Sequence, residues 1–314
     1  MQPIFRPRRL AHVNFWVTDW DAAARWHRDI AGLAEAYRRP DIKGVFLSNG
    51  NTYHDSAVFD LDTEQGRGKQ PGLHHIAFEL ENEVDLVEGY KRCTEAGFTF
   101  DFFLSAEVAH CCYGRDPEGN RFEVYADVEL DWREKRRAQL ETGTRPPPWS
   151  PGATPPVADS RYPKNPPISR IDDAVLHVKK GSHAVLVARD YDVLYRHYTQ
   201  LVGLTPLVGG PDAPFAILGG TTGEQALAIF APIPSVESGL HHGSFELMDA
   251  TDLDGAKEKL AKRGVTVERV VEHPARRAIY VRDPSGNRIQ YFVNGSSGLG
   301  TLAALPPAEA IWVA

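Results

Sequence analysis

Three stretches of this chain hold residue types that together could bind a metal ion. Leu10-Ala11-His12-Val13-Asn14-Phe15-Trp16-Val17 and Gly72-Leu73-His74-His75-Ile76-Ala77-Phe78-Glu79-Leu80 are apolar, strand-like runs that each open on histidine. Tyr113-Gly114-Arg115-Asp116-Pro117-Glu118-Gly119-Asn120-Arg121-Phe122-Glu123 reads as a strand, a tight Asp-Pro-x-Gly turn and a second strand that opens on glutamate. Two histidines and one carboxylate on separate strands are what a facial triad needs, and such a triad leaves positions on a divalent cation open for substrate and oxygen. His74 and His75 are adjacent, so on a regular strand they point to opposite faces and only one can be the ligand. Aligning His75-Ile76-Ala77-Phe78 with His12-Val13-Asn14-Phe15 selects His75, with His74 as a flanking residue.

The elements that must position these residues come in a repeating order. A strand at 10–17 leads through the Thr18-Asp19 cap into a helix whose apolar positions Ala22, Trp26 and Ile30 recur every fourth residue. Strands near 34–38, 43–49 and 53–60 follow. A strand at 73–80 then enters a helix through Asn82, with Val84, Val87 and Tyr90 inward and Gly97 at its end, before strands near 99–103, 108–115 and 120–127. These are two βαβββ units in tandem.

Residues 131–180 break the rhythm. Asp131 to Glu141 predicts a short exposed helix, and Pro146-Pro147-Pro148, Pro155-Pro156 and Pro166-Pro167 predict a stiff connector. Beyond it Ser182-His183-Ala184-Val185 echoes the His12 strand, Leu240-His241-His242-Gly243 echoes the His75 strand, and Tyr280-Val281-Arg282-Asp283-Pro284-Ser285-Gly286 echoes the turn. The interval from His75 to Glu123 equals that from His242 to Gln290, so the chain is an internal duplication. The expected fold class is α+β, with four βαβββ units paired into two domains, 1–130 and 181–294, a linker at 131–180 and a tail at 295–314.

The halves differ where the chemistry would be. Glu123 becomes Gln290, and a neutral amide replaces an anionic ligand poorly at a hard cation. Aligning Tyr53-His54-Asp55 with Glu224-Gln225-Ala226 turns His54 into Gln225. The metal site is therefore expected in the first half, with His183, His242 and Tyr280 as relics in the second.

With these motifs the chain resembles the vicinal oxygen chelate superfamily (the glyoxalase fold), and within it the type I extradiol ring-cleaving dioxygenases. The resemblance covers both repeats. It implies iron(II), or alternatively manganese(II), held by His12, His75 and Glu123. It also implies His54 as the acid–base residue, Tyr113 as the signature tyrosine, a catechol-type aromatic diol and O2 as substrates, and two glyoxalase/extradiol-dioxygenase-like domains. Most two-domain members keep the metal in the C-terminal domain, whereas here the intact triad is N-terminal. The family's second-sphere histidine lies farther before its tyrosine than His110 does. That spacing is met by His273 before Tyr280, which leaves His110 as a substitute in the first half.

The residue types suit these roles. A histidine can hold and return a proton near neutrality, and a phenol can donate a hydrogen bond to a substrate oxygen. Cys111 and Cys112 read as small buried residues, and the acidic residues of the Asp116 turn as geometry. Phe15, Trp16, Phe100, Phe102 and Phe103 suit either an aromatic pocket or core. A net charge of −7 without a basic stripe excludes a general nucleic-acid binder. No stretch approaches a membrane span, and no apolar signal core follows Arg6-Pro7-Arg8-Arg9. Three cysteines fit a reducing, cytoplasmic setting, and exposed strand edges fit a homo-oligomer. Two other functions fit parts of the pattern: a glyoxalase, isomerase or epimerase that stabilises an enediolate, and a metal-free small-molecule-binding protein.

Overall fold

The computed structural model of the chain describes residues 3–142 and 146–314, the side chains of 139–142 excepted. The first half begins with β1 (Arg9–Val17), α1 (Trp20–Ala31), β2 (Glu35–Arg39), β3 (Gly44–Leu47) and β4 (Ser56–Asp60). Then come β5 (Gly72–Glu79), α2 (Glu83–Glu95), β6 (Phe102–Ser105), β7 (Ala109–Arg115) and β8 (Arg121–Asp127), followed by α3 (Trp132–Thr142). Its strands form one eight-stranded sheet in the order β2-β3-β4-β1-β5-β8-β7-β6.

The second half repeats this with β9 (Val178–Val187), α4 (Tyr191–Arg196), β10 (Thr205–Gly209), β11 (Phe215–Gly219) and β12 (Gln225–Phe230). It continues with β13 (Gly239–Leu247), α5 (Ala256–Lys262), β14 (Val267–His273), β15 (Arg276–Arg282), β16 (Arg288–Asn294) and a closing α6 (Pro307–Val313). The second sheet has the same order, β10-β11-β12-β9-β13-β16-β15-β14. The architecture is thus α+β, two curled sheets each built from two βαβββ units. The registers repeat as well: Ala77 pairs with Glu123 in one sheet, and Ser244 with Gln290 in the other.

Local chemistry explains the element ends. The Asp19 carboxylate caps α1 by accepting from the Ala22 amide at 2.9 Å, and Gly32, at φ 66°, turns the chain out of it. Asn82 caps α2 in the same way. The buried stripe of α1 is Ala23, His27 and Ile30, one residue round from the expected Ala22 and Trp26, which are half-buried. In the turn before β8 the Asp116 carboxylate accepts from the amides of Glu118 and Asn120, both at 2.9 Å. That turn also ties the halves together, since the Tyr198 hydroxyl donates to Asp116 at 2.9 Å and Glu118 accepts from the Arg189 and Asp190 amides.

β1 and β9 lie back to back at the centre, where one apolar cluster draws on both sheets. A Cβ on Gly243 would stand 2.7 Å from the Phe15 ring, so a larger residue there would force the sheets apart. α3 is exposed at Arg133, Glu134, Lys135, Arg137 and Ala138, as expected, but one side of it is not. Trp132 and Arg136 are buried, and the Arg136 guanidinium donates to the Ala106 carbonyl at 2.9 Å, which fastens the helix over the first sheet.

Candidate metal centre and active site

The strand order does most of the positioning. β4, β1, β5, β8 and β7 are consecutive neighbours, and each brings one expected residue to the inside of the curl. His54 precedes β4, His12 sits on β1, His75 on β5, Glu123 on β8 and Tyr113 on β7. His12 and Glu123 both pair with Ala77. The residue between them on the same face is therefore an alanine, small enough for the longer side chains to meet above it.

They meet closely. His12 Nε2, His75 Nε2 and Glu123 Oε2 form a triangle with all three edges 3.2 Å, and all three residues are buried. For metal–ligand bonds of roughly 2.0–2.2 Å that edge is about 1.5 times the bond, between the ratios for neighbouring positions of an octahedron and of a tetrahedron. Without a cation the arrangement is poorly satisfied, since His12 Nδ1 and Glu123 Oε1 are buried without a hydrogen-bond partner. Protonation also fits. Burial pushes the Glu123 carboxyl up, but hydrogen bonds and charge from His12 and His75 outweigh it and hold it well below the carboxylate range. Burial pulls His75 down to about 4, against the pull of Glu123. A neutral imidazole beside an ionised carboxylate is the form that ligates a divalent ion.

The histidine pair departs from regular alternation. Asn14 pairs with His75 and Phe15 with Leu73, so His74 is the extra residue of a β-bulge. The bulge brings His74 round beside its neighbour, and the two Nδ1 atoms lie 2.5 Å apart. His74 is clamped between Phe59, stacked at 4.1 Å, and Trp16 at 4.4 Å. The ligand atom of His75 faces the triad while its other nitrogen is held, the usual way a metal-bound imidazole is oriented.

Beside the triad opens a cavity of about 790 Å³, walled by Tyr37, Phe46, Phe59, Phe102 and Phe103 and reached by His54, His75 and Tyr113. His54 is buried, its ring 3.9 Å from that of His12, with Nε2 3.4 Å from the Asn14 amide and Nδ1 unpartnered. It lies in the turn ahead of β4 rather than on a strand. The Tyr113 ring meets His75 edge-on at 5.4 Å and stacks on Phe102.

His110 does not reach this site. It faces the other side of β7, donating from Nδ1 to Glu83 Oε1 at 2.6 Å and stacking on Trp149 at 4.3 Å, so its expected second-sphere place is corrected to the α2 side. Phe15 and Phe100 belong to the core, whereas Phe102 and Phe103 line the cavity. Cys111 lies beneath the triad, its thiol pushed well up by burial and by Glu123.

The sequence reading missed Asn14, whose amide lies 3.0 Å from His75 Nε2 and also faces His54. Its place two residues after His12 on one strand was the available signal. The reading also missed the roof: Arg136 of α3 and the run Pro146 to Trp149 line the cavity, so the connector is a wall of the site. A second cavity, of about 540 Å³, shares Arg136 and touches none of the triad.

In the second half the corresponding space is filled. Arg276, which pairs with Asn294 as Ala109 pairs with Asp127, is fully buried and donates to His183 Nε2 at 3.0 Å and to the Gln225 carbonyl at 2.9 Å. The His183 lone pair is thereby used, and a guanidinium supplies positive charge where the first half presents an open triad.

The chain belongs to the Glyoxalase/Bleomycin resistance protein/Dioxygenase superfamily, whose profile matches residues 9–124 and 180–291. It is 28% identical over 122 residues to biphenyl-2,3-diol 1,2-dioxygenase 3 of Rhodococcus globerulus, covering 38% of this chain and 63% of that one. It is also 28% identical over 152 residues to a manganese-dependent 2,3-dihydroxybiphenyl 1,2-dioxygenase of Geobacillus genomosp. 3, covering 44% and 47%. Both matches span less than two thirds of those relatives' length. Among solved structures, the 2,3-dioxygenase LapB from Pseudomonas sp. KL28 superposes with a TM-score of 0.67 at 17% identity, over 93% of this chain and 94% of that one. The Mn(II)-bound glyoxalase from Novosphingobium aromaticivorans gives 0.66 at 16%, over 91% and 82%. At such identity these two likenesses speak for the fold alone.

Proposed function

We propose that this protein is an extradiol dioxygenase that opens the ring of a catechol-type substrate with O2, using a divalent iron or manganese ion held by His12, His75 and Glu123. The observation that carries the reading is the equilateral triad at the side of an aromatic cavity, flanked by His54 and Tyr113. The names of the two sequence relatives, both dioxygenases of dihydroxybiphenyls, support it. When bound, the metal supplies Lewis acidity and an electron path between diol and O2.

The chain's own residues do the rest. Phe46, Phe59 and Phe102 offer faces to a planar ring, and Tyr113 offers a hydroxyl donor to an oxygen on it. His54, unpartnered at Nδ1 and inside the cavity wall, takes a proton from the diol and returns it to the departing oxygen. Asn14, whose side-chain amide lies 3.4 Å from His54 Nε2, orients that ring beside the triad. The roof of α3 and residues 146–149 limits water at the reacting centre. Three free, buried cysteines suit a reducing compartment, and the unpaired edge of β6, the last strand of its sheet, suits a second copy.

The superfamily's glyoxalase members keep an enediolate-forming isomerase as the second reading. Such sites generally use a fourth ligand and a carboxylate base. Among the described residues the ligating cluster has three members, with His54 rather than a carboxylate beside it. Oxygen uptake separates the two. Protein loaded anaerobically with iron(II) or manganese(II) and mixed with substituted catechols in air should consume O2 and form a yellow ring-opened product. Metal-loaded protein that takes up no O2 with any catechol would leave the isomerase reading standing. Metal analysis showing no tight divalent ion would leave a metal-free binding protein.

A further inference from the structure

The duplication provides an internal picture of how a ring sits in the first cavity. In the second sheet α6 folds back so that the Trp312 indole enters the cup. It meets Tyr280 edge-on at 5.0 Å and His241 at 4.7 Å, and the Arg288 guanidinium lies 5.0 Å from its centre. The Trp312 carbonyl accepts from the Tyr280 hydroxyl at 2.5 Å. Tyr280, His241 and Arg288 stand where Tyr113, His74 and Arg121 stand in the first half. Arg288 lies two residues before Gln290 and Arg121 two before Glu123, on matching strands. All three first-half counterparts line the open cavity.

The two arginines differ in one respect. Arg288 is neutralised, since Glu268 accepts from its Nε at 2.9 Å and from its Nη2 at 2.6 Å. Glu268 precedes the residue paired with Tyr280, and Asp101 precedes the residue paired with Tyr113. Asp101 is one methylene shorter, and it binds Arg115 at 3.1 Å instead. Arg121 is left half-buried with no ion pair among the described residues, and its Nε is buried without a hydrogen-bond partner. Its remaining contact is with the Phe102 ring at 5.5 Å, on the cavity wall. A half-buried cation with no carboxylate in contact is costly unless a ligand supplies one. The filled cup holds its counter-ion in direct contact, whereas in the open one Asp101 is bonded to Arg115 and acts on Arg121 only through space.

We propose that the substrate is an aromatic vicinal diol bearing a carboxylate, with its ring in the place that Trp312 fills in the second half and its carboxylate on Arg121. This rests on the ring-cleavage reading for the diol, but the anion preference has a readout of its own. The test uses catechols carrying a carboxylate at ring position 3 or 4, directly or through one methylene, each beside its methyl ester. Oxygen-uptake kinetics on the metal-loaded enzyme and anaerobic calorimetry of binding are measured for wild type, Arg121→Gln and Arg121→Lys. At least one acid should exceed its ester by on the order of 10- to 100-fold in kcat/KM and in affinity, the usual range for a charge-assisted pair. Arg121→Gln should collapse that ratio toward one, and Arg121→Lys should restore part of it. Esters as good as acids across the panel, or a Gln variant that lowers acid and ester alike, would overturn the proposal while leaving ring cleavage intact. If no diol is consumed, ring cleavage fails, and the acid-over-ester binding ratio with its dependence on Arg121 still decides the anion site.

Discussion

One side-chain amide is among the differences between the open triad and its closed counterpart. In the second half Gln290 donates its amide to the Tyr280 hydroxyl at 2.5 Å, a use of the side chain that an ionised carboxylate cannot make. Glu123→Gln should therefore turn its amide toward Tyr113 and remove both the negative charge and one ligand atom. We expect metal content to fall at least tenfold and turnover with it, checked by elemental analysis after gel filtration. Full metal and full turnover would place the site elsewhere. His54→Asn should behave differently, because His54 stands beside the triad without belonging to it. Metal content and catechol affinity should stay near wild type while kcat falls by roughly 10²- to 10⁴-fold, the usual worth of a positioned acid–base group. An unchanged kcat, or loss of the metal, would remove His54 from that role. Glu123 and His54 could be singled out in the sequence because the duplication supplied two copies to compare. His110 was misread because its distance from Tyr113 along the strand, an odd number of residues, puts the two on opposite faces.

At the scale of elements, the site depends on two local irregularities of β5. The bulge at His74 overrides strict alternation and places both histidines of the pair near the cavity, which no periodicity argument on a regular strand could show. Ala77 is the second, the one small residue between the facing side chains of His12 and Glu123. Ala77→Val adds two methyl groups where the triad converges. Overpacking of this kind costs about 1–3 kcal/mol, and here it should act chiefly by spreading the triad. We expect the folded variant to bind manganese at least tenfold more weakly than wild type by calorimetry. Wild-type affinity in a folded Ala77→Val protein would mean that the ligands do not meet over that position. Helices α1 and α2 were legible from their caps, and the strands of the first half from their apolar runs. The roof was not, because α3 and the prolines after it have too little apolar periodicity to reveal a face. What orders them is the contact of Arg136 and Trp149 with a cavity that forms only when the sheet has curled.

At the scale of the molecule, the second half holds a buried guanidinium and a folded-back helix where the first has its open triad, and it supports the first through the β1–β9 contact and the Asp116–Tyr198 bond. The joined core this creates buries several histidines that have no part in the chemistry. His27 on α1 is the clearest: both its ring nitrogens lack a partner, and burial lowers it to about 4. Above pH 6.5 the ring is neutral in folded and unfolded chain alike, and His27 adds no pH dependence. As the pH falls below 6.5, the unfolded chain takes up a proton that the folded protein resists, so stability is lost until about pH 4, where the folded form protonates too. Over that window the loss from this one ring is at most about 3 kcal/mol. His27→Leu keeps the burial and removes the titration. We expect its urea midpoint to fall less steeply than wild type between pH 6.5 and 4, with the curves parallel above pH 7. Metal-free protein serves for both, so that protonation of the triad enters the two curves equally. Parallel curves down to pH 4 would show that the buried ring of His27 already finds a proton or a partner in the folded protein.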